Sequence, residues 1–377
     1  MRNVCFVLAA LLLPLAAGAQ STITDFHPAG EVVPWLEGSR AVYSEWGKPE
    51  PPASLTLLQF SDLHGDTENL ARIADFVGAY GKYIEDAIHL GDAVSCYWDD
   101  PYPWDLVPSA HGILNVVGNH DCWKGHLVWA QSRRPYDATA AEAYSLIMEG
   151  ADKEHPLIDG WGVVRPGGRV CYYYKDYNLQ GIRLIVLDCM HYGKAQDQWF
   201  RAVLDDALKG GRTVIAAQHL PAQSGLDKFH VGFSDRDYEL ESVTAPDGTN
   251  TFLDTPDGPQ MERMTDACFA AVDRFIAGGG KFACWLSGHT HLDMVGHIPG
   301  HSRQLQIIVD KAGEKDNYMQ EARTRGTVLQ DAFNLVTVNP SRGLVLLKRI
   351  GCTRDQYMRS KSLLTYNYLT GEVILAE

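Results

Sequence analysis

Five short polar clusters in this sequence carry the side chains that do hydrolytic and metal chemistry. They are Ser61-Asp62-Leu63-His64-Gly65, Gly91-Asp92, Gly118-Asn119-His120-Asp121, His219, and Gly288-His289-Thr290-His291. The set offers carboxylate oxygens, imidazole nitrogens and one amide oxygen, and no thiolate. That donor chemistry suits divalent transition ions such as manganese, iron, cobalt or zinc. A carboxylate can bridge two such ions about 3.5–4 Å apart, making a two-metal clamp that activates water and stabilises a phosphoryl transition state. Each cluster alone is weak, because glycine turns and isolated histidines are common in ordinary proteins. On that ground His89, His111, His155, His297 and His301 are read as structural. Five matching clusters in this order are a stronger signal than any one.

Each cluster follows a short apolar run, and the runs are the elements that must position them. Leu55 to Phe60, Ala87 to Leu90, Ile113 to Val117, Ile182 to Leu187, Val214 to Ala217 and Phe282 to Leu286 read as strands buried on both faces. Between the first two, Leu70, Ile73, Ala74, Val77 and Tyr80 fall at helical spacing behind the start signal Asp66-Thr67, predicting a helix over 66–83 and a β-α-β unit. A second helix is predicted over Ala195 to Leu208, with Trp199, Phe200, Val203, Leu204 and Leu208 as its core face. Strands Arg303–Val309, Phe333–Val338 and Leu344–Ile350 flank the turn residues Asn339 to Gly343 and suggest an antiparallel end to the fold. In an open α/β sheet, ligands sit in the crevice at strand ends, so clusters spread over about 230 residues can converge there.

Composition narrows the class further. Residues 1–19 combine Arg2, the apolar stretch Val4 to Leu15 and the small-residue site Ala17-Gly18-Ala19, the pattern of an export signal. No later segment reaches the roughly 18 uninterrupted apolar residues of a stable membrane span. The expectation is an exported protein, periplasmic or extracellular. The net charge of −14, or −15 once Arg2 leaves, repels polyanions and argues against nucleic acid as a partner. Seven cysteines remain beyond the signal, an odd number with no C-x-x-C pair; buried free thiols are expected, with Cys96–Cys122 the one candidate disulfide. Residues 20–53 read as an N-terminal extension and 54–350 as one catalytic domain. Within the domain, about 136–177 and 225–262 read as surface insertions, and 351–377 as a C-terminal extension packing on it. Lys124, Arg134, Lys194, His230 and Arg236 lie near possible cleft loops but are read as solvated surface.

The order Asp-x-His, Gly-Asp, Gly-Asn-His-Asp, His, Gly-His-x-His, matched over roughly residues 55–300, resembles the calcineurin-like metallophosphoesterase family. The resemblance implies an α/β fold, a four-layer α/β/β/α sandwich with two mixed sheets. It also implies two divalent metal ions, with Asp62, His64 and His291 holding one, Asn119, His219 and His289 the other, and Asp92 bridging. His120 would contact the phosphate and support protonation of the leaving oxygen, and a metal-bridging hydroxide would attack phosphorus. The expected activity is that of a phosphoester hydrolase, a phosphatase or phosphodiesterase, on a phosphorylated small molecule or conjugate. The alternatives are a non-catalytic metallophosphoesterase-like binding scaffold and a metallonuclease. Ser95 stands where the serine/threonine phosphatase branch places an Asp that orients the catalytic histidine and the purple acid phosphatase branch a metal-binding Tyr. Ser95 and His64 therefore argue against both branches, and what holds His120 is an open question at this point.

Overall fold

A computed structural model describes residues 22–95, 104–122, 138–148, 162–221, 227–228, 260–291, 293–298, 300–313, 323–352 and 362–376. In chain order the strands are β1 (Leu55–Phe60), β2 (Asp86–His89), β3 (Leu114–Asn115), β4 (Val163–Val164), β5 (Tyr173–Tyr177), β6 (Ile182–Val186), β7 (Thr213–Ala217) and β8 (Asp227–Lys228). They continue with β9 (Lys281–Ser287), β10 (Met294–Ile298), β11 (His301–Ile308), β12 (Ala332–Asn339), β13 (Leu344–Gly351), β14 (Leu363–Asn367) and β15 (Glu372–Ala376). The helices are α1 (Ile23–Phe26), α2 (Ala29–Arg40), α3 (Thr67–Tyr80), α4 (Ala140–Ala143), α5 (Lys194–Lys209) and α6 (Gln260–Ala277).

Two mixed sheets result. The first has seven strands in the order β15-β14-β13-β12-β1-β2-β3, and the second has eight in the order β4-β5-β6-β7-β9-β11-β10-β8. Strands β1, β2 and β3 run parallel, as do β6, β7, β9 and β11, while the flanking strands pair antiparallel. Alternation along β1 shows the layering. Leu55 and Leu57 enter the core between the sheets, whereas Leu58 and Phe60 pack with Leu70, Ile73 and Phe76 of α3 and with Val32 and Leu36 of α2. On the second sheet, Ile215 and Ala217 face the inter-sheet core, while Val214 and Ala216 pack against Phe200, Val203 and Leu204 of α5 and Val272 and Phe275 of α6. Helices on both outer faces leave every β1 side chain buried, so the strand reads as a mainly apolar run whose polar members, Thr56 and Gln59, are hydrogen-bonded inside the fold.

Local signals set the ends of these elements. The Asp66 carboxylate accepts the backbone N–H of Asn69 at 3.0 Å and caps α3. Strands and helices read from the sequence fall within a residue or two of the observed bounds, apart from three places. The 113–117 run pairs over Leu114–Asn115 alone, because its last residues turn toward the Gly118 cluster. The α3 helix stops at Tyr80, short of Tyr83. The stretch 136–177, expected as a surface insertion, supplies core in its described part: Ala143, Leu146, Ile147, Met148, Cys171 and Tyr173 are buried between the sheets, and β4 and β5 extend the second sheet. Of 225–262, only the two residues of β8 and the first turn of α6 are described.

Both extensions are built into the fold. His27 Nε2 lies 2.8 Å from Asp331 Oδ2, and Arg72 donates to both Asp331 oxygens at 2.7 and 2.6 Å, which ties the N-terminal helices to α3 and to the start of β12. At the other end, β14 and β15 continue the first sheet beyond β13. Cys122, Cys171, Cys189, Cys268, Cys284 and Cys352 are buried free thiols. Cys96, His155, Lys124, Arg134, His230, Arg236 and the 1–19 segment lie outside the described residues, and Lys194 is exposed at the start of α5. Among the described residues no helix is long and apolar enough to cross a membrane.

Candidate metal centre

Parallel pairing brings the tips of β1, β2 and β3 to one edge and those of β7 and β9 to the facing edge. The backbone there is unusual. Among the described residues, the non-glycine positions with positive φ are Asp62 (55°), His64 (48°), Asp92 (58°), His289 (70°) and His291 (54°). All five belong to the clusters singled out from the sequence. Each left-handed residue costs on the order of 1–3 kcal/mol and persists only where its surroundings over-determine it. The glycines show how tightly the loops meet: a Cβ on Gly91 would lie 2.6 Å from His219 Nδ1, and one on Gly288 would lie 1.8 Å from Ser61 Oγ. Only a residue without a side chain permits these approaches.

The imidazoles and carboxylates converge in two groups. In one, His64 Nε2 and His291 Nε2 are 3.0 Å apart, and Asp62 Oδ1 lies 3.7 Å from the first and 3.2 Å from the second. In the other, Asn119 Oδ1 is 2.9 Å from both His219 Nε2 and His289 Nδ1, and Asp92 Oδ2 is 3.3 Å from His219 Nε2. Ligand atoms of Asp62, His64 and His291 all lie within 4.8 Å of one another, as do those of Asp92, His219 and His289. A third such set, His64, Asp92 and His120, places the Asp92 carboxylate within reach of both groups.

The neighbouring backbone orients these side chains. The Leu90 carbonyl lies 2.6 Å from His219 Nδ1 and, being an acceptor only, takes a proton from it, which directs Nε2 into the site. His120 Nδ1 donates in the same way to the Ser95 carbonyl at 2.8 Å, leaving Nε2 toward the centre, 3.9 Å from Asp92 Oδ2. The backbone at Ser95 thus orients the His120 ring through its Nδ1. Asp62 Oδ2 accepts the His289 N–H at 2.9 Å, and Asp92 Oδ1 accepts the His120 N–H at 2.8 Å. One side-chain oxygen of each aspartate therefore braces the opposite loop while the other faces the imidazoles.

Charge favours a cation. Burial alone would raise Asp92, but the His219 and His120 imidazoles hold it well below the usual carboxylate range. Asp62, equally buried, is held down by the His291 imidazole 3.2 Å from its Oδ1 and by the charge of the surrounding imidazoles. Burial pushes His64 well down, with His120 adding to it, and burial with His219 takes His289 down to about 3. His219 goes the other way: burial opposes its charge, but Asp92 carries it up to about 9. Two ionised carboxylates thus face His64 and His289, both kept neutral by burial. Asp62 Oδ1 is buried and accepts no hydrogen bond, and two imidazole nitrogens 3.0 Å apart share at most one proton. The leftover lone pairs are what a divalent ion would take up, so the donor set fits the metal pair that the family implies.

All eight residues named from the sequence, Asp62, His64, Asp92, Asn119, His120, His219, His289 and His291, meet in this one place. Two contributions were given no role from the sequence, although Asp121 stands in the third cluster. Asp121 is fully buried; its carboxylate accepts the N–H groups of Asp92 (3.0 Å), Ala93 (2.9 Å) and Gly118 (2.9 Å), tying the β2 and β3 loops together, and burial with the nearby Asp92 charge raises it to about 7. Its place beside His120 in the motif was the available signal. The Ser95 carbonyl gave none, since main-chain acceptors leave no mark in residue types. His89 Nδ1 lies 2.7 Å from Asn115 Oδ1 and His301 Nδ1 2.5 Å from Asp273 Oδ2, and neither belongs to the donor groups of the centre.

Among solved structures, a dimetal phosphatase from Danio rerio is 12% identical, with 83% of this chain and 99% of that one covered and a TM-score of 0.45. The anchor in the inner membrane complex of Plasmodium is 10% identical, covering 86% and 88%, with a TM-score of 0.41. A metallophosphoesterase from Sphaerobacter thermophilus is 14% identical, covering 79% and 89%, with a TM-score of 0.30. Likeness of this grade says nothing of substrate. No curated protein matches the chain in a sequence search. The family model for calcineurin-like phosphoesterases matches residues 55–293, a span that holds every strand tip of the centre; the chain belongs to the calcineurin-like phosphoesterase family.

Proposed function

We propose that the protein is an exported phosphoester hydrolase working with two divalent metal ions. The observation that carries this reading is the pair of donor groups sharing Asp92, built on five left-handed non-glycine residues and containing a buried carboxylate oxygen with no hydrogen bond. Asp62, His64 and His291 would hold one ion and Asn119, His219 and His289 the other, with Asp92 within reach of both. When bound, such ions polarise a phosphoryl oxygen and lower the pKa of a coordinated water. The chain's own groups do the rest. The Leu90 carbonyl keeps His219 in the tautomer that faces inward, and the Ser95 carbonyl aims His120 Nε2 at the centre. From there His120 donates a proton to the leaving-group oxygen, a general-acid role. The 1–19 segment supports export, to the periplasm or beyond the cell.

Purified protein should contain metal by elemental analysis and, with added manganese, hydrolyse aryl phosphate esters. Comparing a mono-aryl with a bis-aryl phosphate decides between phosphatase and phosphodiesterase. Absence of both metal and hydrolysis would overturn the reading.

A further inference from the structure

Behind the centre lies a group of charged side chains that the chemistry above does not use. Asp293, Asp310, Lys311, Arg323 and Arg349 are all buried, none more than 8% exposed. Arg349 Nη2, from β13 of the first sheet, lies 2.7 Å from Asp293 Oδ2, a charge contact not aligned as a hydrogen bond. Arg349 Nε also donates to the Cys352 carbonyl at 2.8 Å, and its Nη1 to Asn334 Oδ1 at 3.3 Å. Arg323 pairs with Asp310 at 3.0 Å and donates to the carbonyls of Lys311 and Ala312. Charges buried so deeply cost more in lost hydration than a surface pair returns. Their location suggests what they accomplish.

The segment 309–313 is stitched to both halves of the centre. Val309 N–H donates to the Ser287 carbonyl just before the Gly-His-Thr-His loop, and Asp310 N–H to Asp293 Oδ1 just after it, each at 3.0 Å. On the other side, the N–H groups of Ala312 and Gly313 donate to the carbonyls of Ser61 and Asp62 at 2.6 and 3.1 Å. A Cβ on Gly313 would lie 2.1 Å from the Leu63 carbonyl. One segment therefore spaces the Asp62–His64 loop of the first sheet from the His289–His291 loop of the second. Asp293 is where that segment, the second loop and the first sheet's β13 are joined.

We propose that Asp293 and Arg349 are positioning residues of the metal centre: their buried pair clamps the end of the Gly-His-Thr-His loop so that His291 stands opposite Asp62 and His64. The inference rests on the metal-centre reading above and assigns a role in it to residues outside the motifs. Both loop histidines sit at positive φ, and a loop held in that conformation needs fixed ends. Asp293 fixes the end that β9 does not.

The test is titration of metal-free protein with Mn2+, followed calorimetrically, for wild type, Asp293→Asn, and the double variant Asp293→Asn with Arg349→Met. The double variant leaves no unpaired buried charge. In each variant one of the two Mn2+ ions should bind about 10–100-fold more weakly, the range for residues that orient ligands, while the other keeps its affinity. Spin coupling between the two Mn2+ ions, read by electron paramagnetic resonance, should weaken in parallel. Wild-type affinities in a folded variant would overturn the proposal, as would loss of folding in both variants, which marks the pair as purely structural. A wild-type protein that binds no Mn2+ would instead refute the metal-centre reading itself.

Discussion

Replacing His120 by alanine separates catalysis from metal holding. The His120 backbone N–H bonds Asp92 Oδ1 at 2.8 Å, and alanine keeps that bond. The imidazole is lost, and with it the hydrogen bond to the Ser95 carbonyl at 2.8 Å, worth roughly 0.5–1.5 kcal/mol of net stability. The Asn119, His219 and His289 contacts do not pass through this ring. Metal content should therefore stay at the wild-type level, and the melting temperature should fall by only a few degrees. Turnover should drop by about 10²–10⁴-fold, the span for a positioned general acid, or ~2.7–5.5 kcal/mol of barrier. The loss should be larger for an alkyl phosphate than for a nitrophenyl phosphate, whose leaving group needs little protonation. The assay is steady-state hydrolysis of both esters with elemental analysis of the same samples, alongside Asp92→Ala, which should lose activity and metal together. Equal metal loss in the two variants, or an equal fall on both esters, would refute the reasoning.

His289→Ala and His291→Ala should each deplete a different ion, seen as a stoichiometry near one per chain with different residual affinities; identical loss from both sites would count against the assignment. Gly288→Ala should destabilise the fold and abolish metal binding, since its Cβ would lie 1.8 Å from Ser61 Oγ and 2.8 Å from Asp62 Oδ2; a metal-replete variant by elemental analysis would contradict this. His191, in the loop after β6, lies 2.9 Å from Asp188 Oδ2 and 2.8 Å from the Ala138 carbonyl. Burial opposes its charge, but Asp188 and that carbonyl carry it from 6.5 up to about 9. A raised value means the proton stabilises the fold: the contribution, on the order of 3 kcal/mol, is full below pH 6.5 and is lost as pH rises through 9. Melting temperatures of wild type and His191→Gln should therefore differ at pH 6 and converge by pH 10, and a constant gap would show the reasoning wrong.

The strands were legible because β1, β6 and β7 are buried on both faces, which makes each a mainly apolar run with at most two polar residues. The α3 helix was legible through its cap and its core face. Elements held by distant partners were not. In α2, Pro34 interrupts the pattern, and the helix persists because Val32 and Leu36 pack on the first sheet and His27 reaches Asp331, some 300 residues on. The β14 and β15 hairpin depends on β13 for its ladder. The 136–177 stretch looked peripheral because its polar residues are interleaved with the core side chains it delivers.

For the site, residue types alone settled the donor chemistry: three kinds of oxygen and nitrogen ligand, in a fixed order, each after a strand, with glycines where the loops must touch. Those are properties of single positions and short spacings, and they survive in a linear string. Tertiary structure alone decided which donors face one another, which carbonyls set the tautomers of His219 and His120, and which aspartate oxygens brace a loop. It also decided that Asp293 and Arg349, 56 positions apart and in none of the motifs, meet beneath the centre. The reason is physical: a left-handed ligand residue and a buried ion pair are each unfavourable alone, and only the surrounding packed structure makes them stable.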